Sequence, residues 1–517
     1  MLPRAKNDWT LEEAAHLVRR AGFGASPSEI REIHELGREA AVDSLLEPDE
    51  SLADVELPEW AEPERVAEER REIAAKMRES RLEQRDMTPE ERLEARQKMQ
   101  REIRREQQQN LVSAGGWWFE RMMRSRAPLR EKMVIFLHDH FATSAQKVRQ
   151  PVLMLQQNQL FREHAFGDFR ALTHAIATDP AMMLYLDTQT SKKGKPNENF
   201  AREVMELFTL GQGNYTEQDI KEAARAFTGY QVNRLTGAVD HNKRQWDDGT
   251  KTVLGKTGKF DGPQVIDLIF EQDAAAAYLP SKLWQFFVED EAPNAVVRDL
   301  AATFKAGGFQ LKPVLREIFL SRAFYDGTVI RNQIKSPVQF MVQMCRELEI
   351  DDLPRGFVLI AQGELGQQLF YPPNVAGWDW GRAWINTNTL LSRYNTAGVV
   401  TQGAVNADGV EDEGDSMMEM AAAGGRPGQQ MLARMVKRSM DRWDGPDYES
   451  IAPRELRKDP EKLVASLMDR LFQADLGSKQ KAAFVDYARS KQGVVFTNHE
   501  VAELCHLMMS TPHYQLC

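Results

Sequence analysis

In the stretch SKKGKPNENFAREVMELFTLGQGNYTEQDIKEAARAFTGY, Ser191 to Tyr230, the residues Asn199, Glu203 and Glu206 are separated by four and three positions. On an α-helix that spacing sets one amide and two carboxylates along a single face. Such a row can present oxygen ligands or an acid–base pair to a cleft, while Phe200, Val204, Leu207 and Phe208 anchor the other side of the helix. Arg202 stands four residues from both Glu198 and Glu206, where a fixed positive charge keeps a carboxylate ionised. Glu198, Arg202 and Glu206 would equally make a plain surface lattice of ion pairs.

Other segments add imidazoles. FLHDHFATS carries His138, Asp139 and His140, LFREHAFGDFR carries Arg162, Glu163, His164 and Asp168, and MLYLDTQT ends an apolar run at Asp187. Imidazoles with carboxylates suit a transition metal; carboxylates with Asn199 alone suit calcium or magnesium. Two histidines two apart point to different sides of a helix, so His138 and His140 converge only at a helix end or in an extended segment. None of these spacings is the HExxH of a zincin helix, and a purely structural polar network is the competing reading. A third cluster, GQQLFYPPNVAGWDWGRAWINTNTLLSRYN, reads as a rigid loop entering a helix. Its Trp378, Arg382, Trp384 and Asn386 offer aromatic faces and polar groups for a sugar, a peptide or another flat polar ligand, or else clamp the loop to the body.

The elements that would position these groups are mostly helices. The chain has 517 residues, 42% of them hydrophobic, enough for a large core. Its 66 Lys and Arg against 77 Asp and Glu give a net charge of -11, which provides no general reason to bind nucleic acid. Residues 1–58 read as a helical segment, with Ser26 as an N-cap and Pro27 in the first turn. Residues 59–110, rich in Glu, Arg, Gln and Lys, read as a charged helical arm that restarts at Thr88 and Pro89. A main helical domain is expected over 111–402, interrupted at 231–261 by a polar loop or hairpin. A flexible linker follows at 403–428, and helices at 429–517 complete the body. The expected class is thus all-α: a multi-helix globular protein with an arm and an insertion.

Three cysteines without a CxxC argue against a disulfide framework or a zinc knuckle. No stretch has the length of a membrane span. The opening residues hold no apolar run of signal length, so the expected location is the cytoplasm. No GxSxG elbow, Walker loop or GxGxxG after a strand is present.

The segments HLVRRAGFGASPSEI, PLREKMVIFLHDHFATS, FREHAFGDFRALTHAIATDPAMMLYLD, KGKPNENFAREVMELFTLGQGNYTEQDIKEAARAFTGY and LFYPPNVAGWDWGRAWINTNTLLSR together closely resemble the bacterial family of proteins of unknown function, DUF1800, from about His16 to Tyr514. The resemblance implies a largely helical fold. It also implies a sulfatase-like protein as a neighbour and partner, often with an export signal, so a periplasmic or secreted location is the alternative. Family members often carry Trp and Asn where this chain has Leu137 and Asp139, and Pro-Gly where it has Asp379 and Trp380.

Three functions follow as expectations. The first is a metal-assisted hydrolase of a polar substrate. In it a divalent ion is held by His138, His140, His164 and Glu203, Glu203 or Glu206 serves as base, Arg202 holds anionic charge, and Asn199, Trp378, Arg382, Trp384 and Asn386 form the substrate pocket. The second is a non-catalytic scaffold or accessory subunit for the sulfatase-like partner. The third is an iron- or copper-dependent oxidoreductase.

Overall fold

Local capping starts the first helices. In α1 (Leu11–Arg20) the Thr10 side chain accepts the Glu13 amide and Glu13 reaches back to Thr10; Ser26 and Glu29 do the same for α2 (Pro27–Leu36), and α3 (Arg38–Leu46) follows. The computed structural model describes residues 1–48, 55–83, 88–233, 236–403, 440, 443–472, 476–491 and 496–517. Most of the segment read as a linker, 404–428, lies outside the described residues.

The charged arm is helical. It consists of α4 (Pro63–Glu83) and the first part of α5 (Pro89–Arg124), which begins with a capping box between Thr88 and Glu91 and Pro89 in its first turn. At 36 residues α5 runs for roughly 54 Å. Its N-terminal half faces solvent. From Leu111 onward it enters the core with Ala114, Trp117, Trp118 and Met122, so position 110 falls inside one continuous helix. Close packing there needs Gly116, because a Cβ at that position would sit 2.7 Å from Cγ of Arg355, the first residue of the helix Arg355–Leu365.

The centre of the body is α6 (Pro128–His140), nearly all of it buried, lying against α8 (Pro151–Glu163), with the short α7 (Ala145–Val148) between them in sequence. One ion-pair cluster ties three helices together. The buried Glu131 carboxylate of α6 accepts from Arg162 Nε at 2.7 Å and Nη2 at 2.8 Å, from α8, and from Arg121 Nε at 2.9 Å, from α5. Burial alone would raise the Glu131 pKa, but the two guanidinium groups outweigh it and hold the value below the ordinary range.

Beyond α9 (Phe169–Ala177) and α10 (Pro180–Tyr185), α11 (Asn199–Glu203) passes without a break into a π-helix over Val204–Thr209, and α12 (Glu217–Ala226) follows. The polar interval forms two small antiparallel hairpins, β1 (Tyr230–Val232) with β2 (Val239–His241) and β3 (Lys251–Val253) with β4 (Lys256–Gly258). Tyr230 stands opposite His241 and Lys251 opposite Gly258. The chain then returns to helices: α13 (Gly262–Phe270), α14 (Asp273–Phe287), α15 (Asn294–Ala306), α16 (Leu311–Leu320), α17 (Pro337–Glu347), α18 (Arg355–Leu365) and α19 (Thr387–Gln402). The helix Asn498–Met509 packs along α19. The fold is all-helical and globular, with the two hairpins as its only sheets among the described residues. Among those residues no helix is long and apolar enough to cross a membrane.

Candidate functional site

The predicted row on α11 lands on the α-to-π transition. The wider π turn leaves carbonyls that other elements catch. Tyr278 OH of α14 donates to the Leu207 carbonyl at 3.0 Å, and His140 Nε2 lies 2.9 Å from the Phe208 carbonyl. Phe200, Val204, Met205 and Phe208 fix the segment in the core.

Outward, the polar groups are largely spoken for. Arg202 makes a two-pronged contact to Glu217 at 2.9 and 2.8 Å and a weaker one to Glu198 at 3.4 Å. Glu206 accepts from Tyr215 OH at 2.6 Å and Gln212 Nε2 at 2.9 Å, and these hydrogen bonds lower its pKa. Glu203 is half-buried, and burial together with the Glu206 charge raises its pKa. Asn199 is exposed and donates to the Leu186 carbonyl at 3.3 Å.

The three histidines occupy separate surroundings. His138 is fully buried, with ring centroids of Trp118, Phe370, Trp378 and Phe161 at 5.3, 5.6, 5.7 and 6.1 Å. Neither of its ring nitrogens has a hydrogen-bond partner, and burial depresses its pKa to about 3. His140, on another side of α6, sits among Phe136, Phe141, Phe169 and Phe208, where burial keeps it neutral. His164 follows the last residue of α8 and is partly exposed. Among the described residues no group of three or more His, Cys, Asp or Glu is arranged to hold a metal ion. The expected convergence of His138, His140, His164 and Glu203 is therefore not found. The reason is helical geometry: α6 continues through His140, so side chains two apart diverge.

The residue between the two histidines faces somewhere else. Lys132, Ile135 and Asp139, spaced three and four apart on α6, line a cavity of about 200 Å³. Its aromatic walls are Phe23, Phe286, Trp378, Trp380 and Trp384. Its charged groups are Arg20, Lys132, Asp139, Asp290 and Arg382, and side-chain amides come from Gln285, Asn332, Gln333, Gln339 and Gln367. Thus Trp378, Arg382 and Trp384 line it. Asn386 instead caps α19, accepting the Thr389 amide at 3.0 Å, and Asn199 belongs to the π-helix region.

The tryptophan loop is fastened to α6 through Asp139. The Trp378 amide donates to Asp139 Oδ1 at 2.7 Å, and the Trp380 side chain adds a second hydrogen bond. Gly377 makes this approach possible: its φ of +89° disfavours other residues, and a Cβ there would lie 2.7 Å from the Asp139 backbone oxygen. Burial pushes the Asp139 carboxyl up to about 7, against the opposing pull of the Trp378 amide and Lys282. Asp139 and Trp380, two of the positions at which the chain departs from the family pattern it resembles, thus touch each other.

Negative charge at Cys517 favours the charged form of both buried cations of the cavity, and Asp290 adds to it for Arg20. The Lys132 ammonium donates to Gln339 Oε1 and lies 5.0 Å from the Phe23 ring centroid and 5.7 Å from that of Phe286. Burial lowers its pKa to about 8. Arg20 donates to Asn332 Oδ1 at 2.7 Å, to the carbonyls of Val329 and Val288 at 2.9 and 3.3 Å, and to a main-chain oxygen of Cys517 at 3.1 Å.

Sequence reasoning did not assign Arg20, Lys132, Phe286 or Asp290 to a site. For α6 a signal existed, since positions 132, 135 and 139 share one helical face. Arg20 and Phe286 are brought in by tertiary packing alone.

The fold and the cavity define an all-helical globular protein with a tryptophan-walled pocket and a buried acid at its wall. The chain belongs to the family described as protein of unknown function (DUF1800), whose pattern matches residues 16–516. No curated protein and no solved structure matches it.

Proposed function

We propose that the protein hydrolyses a bond in a small, polar, ring-bearing substrate held in the tryptophan-walled cavity, with Asp139 as the proton-transfer group. The observation carrying this reading is the Asp139 carboxyl: an acid pushed up to about 7 by burial, lining a cavity beside three indoles. Such a group populates both protonation states near neutrality, which suits general acid–base catalysis. Protonated Asp139 gives its proton to the leaving-group oxygen as the bond from that oxygen to carbon breaks. A water oxygen bonds to the carbon and passes one proton to the Asp290 carboxylate. One water is consumed, and exchange with solvent resets both carboxyls.

Metal-assisted hydrolysis and iron- or copper-dependent oxidation would both need donors around one point. The histidines and glutamates considered for that role face different surroundings, so neither is favoured here. The test is turnover on a panel of 4-nitrophenyl glycosides and esters by the wild type and by Asp139→Asn. The expected outcome is activity in the wild type that drops about 100-fold or more in the variant, the range of a lost acid–base group. Equal turnover by the two proteins, or none by either, removes the catalytic role.

A second reading rests on the exposed arm. The solvated half of α5 with α4 presents many Arg and Glu side chains, a surface suited to docking a charged partner; the sulfatase-like neighbour implied by the family resemblance is the candidate. In that reading the chain is an accessory subunit and shares the partner's compartment. Co-expression should yield a complex that dissociates with rising salt, and a complex unaffected by charge reversal on the arm would refute it.

A further inference from the structure

We infer that Lys132 is a nucleophilic amine, placed to form a Schiff base with an aldehyde or ketone about one ring in size. This goes beyond the hydrolytic reading: it shares the cavity but not Asp139, so the two stand or fall separately. The position of the amine comes first. Lys132 is only 8% exposed and lines the cavity, and the three groups around its Nζ, the Gln339 oxygen and the rings of Phe23 and Phe286, line the cavity as well. The end of the side chain therefore lies at the cavity wall, within reach of whatever fills the space.

An amine attacks a carbonyl carbon only in its neutral form, and a lysine in water is almost entirely ammonium near neutrality. Two surroundings activate it: an apolar pocket that strips water from the nitrogen, and a second cation nearby. Both are present, since burial between two phenyl rings and the Arg20 guanidinium each disfavour the charged form. The other charged groups facing the cavity are Asp139, Asp290 and Arg382, and negative charge at Cys517 opposes the shift. Burial prevails and leaves the amine at about 8, so that roughly a tenth of it is neutral at pH 7.

The ligand class follows from the space and the reaction. A cavity of about 200 Å³ is below the ~300–1,000 Å³ of sites for drug-sized ligands, and the flat walls of Phe23, Phe286, Trp378 and Trp384 suit one planar ring, as in an aromatic aldehyde. The amine nitrogen bonds to the carbonyl carbon, the C=O pair moves to oxygen, and that oxygen takes up a proton from the nitrogen. The resulting hydroxyl then takes a proton from solvent and leaves as water while the nitrogen pair closes the C=N bond. No oxidant or reductant is consumed.

The experiment incubates the full-length protein with benzaldehyde and sodium cyanoborohydride, which reduces the C=N bond and fixes a benzyl group on the nitrogen, and then locates that group by peptide mass spectrometry. At pH 7 Lys132 is expected to be labelled about tenfold or more faster than the exposed Lys243 of the same chain. The preference should shrink as pH rises toward 10, where exposed lysines lose their protons too. It should vanish in urea, and Lys132→Met should remove the fast label.

Labelling of Lys132 no faster than of Lys243, or equally fast in the folded and the urea-unfolded chain, overturns the inference; both comparisons use the wild type, so they hold even if the variant fails to fold. Asp139→Asn should label like the wild type. Fast labelling with no Asp139-dependent turnover keeps the amine and removes the hydrolytic role. Asp139-dependent turnover without fast labelling does the reverse, and the absence of both removes both.

Discussion

The π-helical strip around Glu206 and the cavity beneath Trp378 contain the same kinds of residue, yet they have opposite electrostatic character. On the strip, Arg202 is matched by Glu217 and Glu198, and Glu206 is held by Tyr215 and Gln212, so these two charges are stabilised where they stand, while Glu203 is left with a raised pKa. In the cavity, Asp139 is pushed toward its neutral form and Lys132 toward losing its proton, because burial outweighs what their partners return. A row of carboxylates at helical spacing is thus compatible with a satisfied surface network. Reactive potential collects where polar groups are buried with too few partners.

The largest expected effect puts this contrast to a direct trial. Asp139→Asn should cut turnover about 100-fold, whereas Glu203→Gln and Glu206→Gln should each change it less than about threefold. The reverse pattern would transfer the chemistry to the strip. Next in size is Gly377→Ala, which forces a left-handed backbone onto alanine and drives its methyl group into Asp139. Urea denaturation should show a loss of roughly 2–4 kcal/mol, with the Trp378 fluorescence altered. Arg202→Gln on the strip should leave the midpoint nearly unchanged.

The two regions should also respond to pH with opposite sign. The folded pKa of Asp139 is raised, so its contribution to stability is full below the ordinary carboxylate range and is lost as pH rises toward about 7. Glu206 is lowered, so its contribution is present above the ordinary range and lost as pH falls through its folded value. Subtracting the Asp139→Asn stability curve from that of the wild type should show a decline on the order of 2–4 kcal/mol between pH 4 and pH 7. A flat difference would mean that burial does not perturb this carboxyl. The smallest effect belongs to His138→Phe. The ring makes no hydrogen bond and is neutral, so stability should move by less than about 1 kcal/mol and turnover should persist. Loss of activity there would revive a ligand role for the imidazole.

Much of the helical framework was legible because its signals are local. Ser26 and Thr88 with Pro89 cap helices where the sequence pattern puts them, and the Gln231–Asp261 interval resolves into hairpins as its turn formers suggest. The strip was legible in composition but not in partnership. Glu217 lies 15 positions after Arg202, beyond any helical spacing rule, and the π turn shifts the face that Glu206 presents. On α6 the alternation His138, Asp139, His140 points to the imidazoles as ligands. The decisive quantity, which side of the helix meets a void, depends on the packing of α1, α14 and the tryptophan loop.

Cavity walls come from residues as far apart as Arg20 and Cys517, with α6, the end of α14 and the tryptophan loop between them in sequence. Closing such wide loops is entropically expensive and repaid only when nearly every segment has docked. The pocket should therefore be among the last features to appear during refolding. Its indoles give an intrinsic optical signal for completed assembly, and no excised fragment should reproduce it.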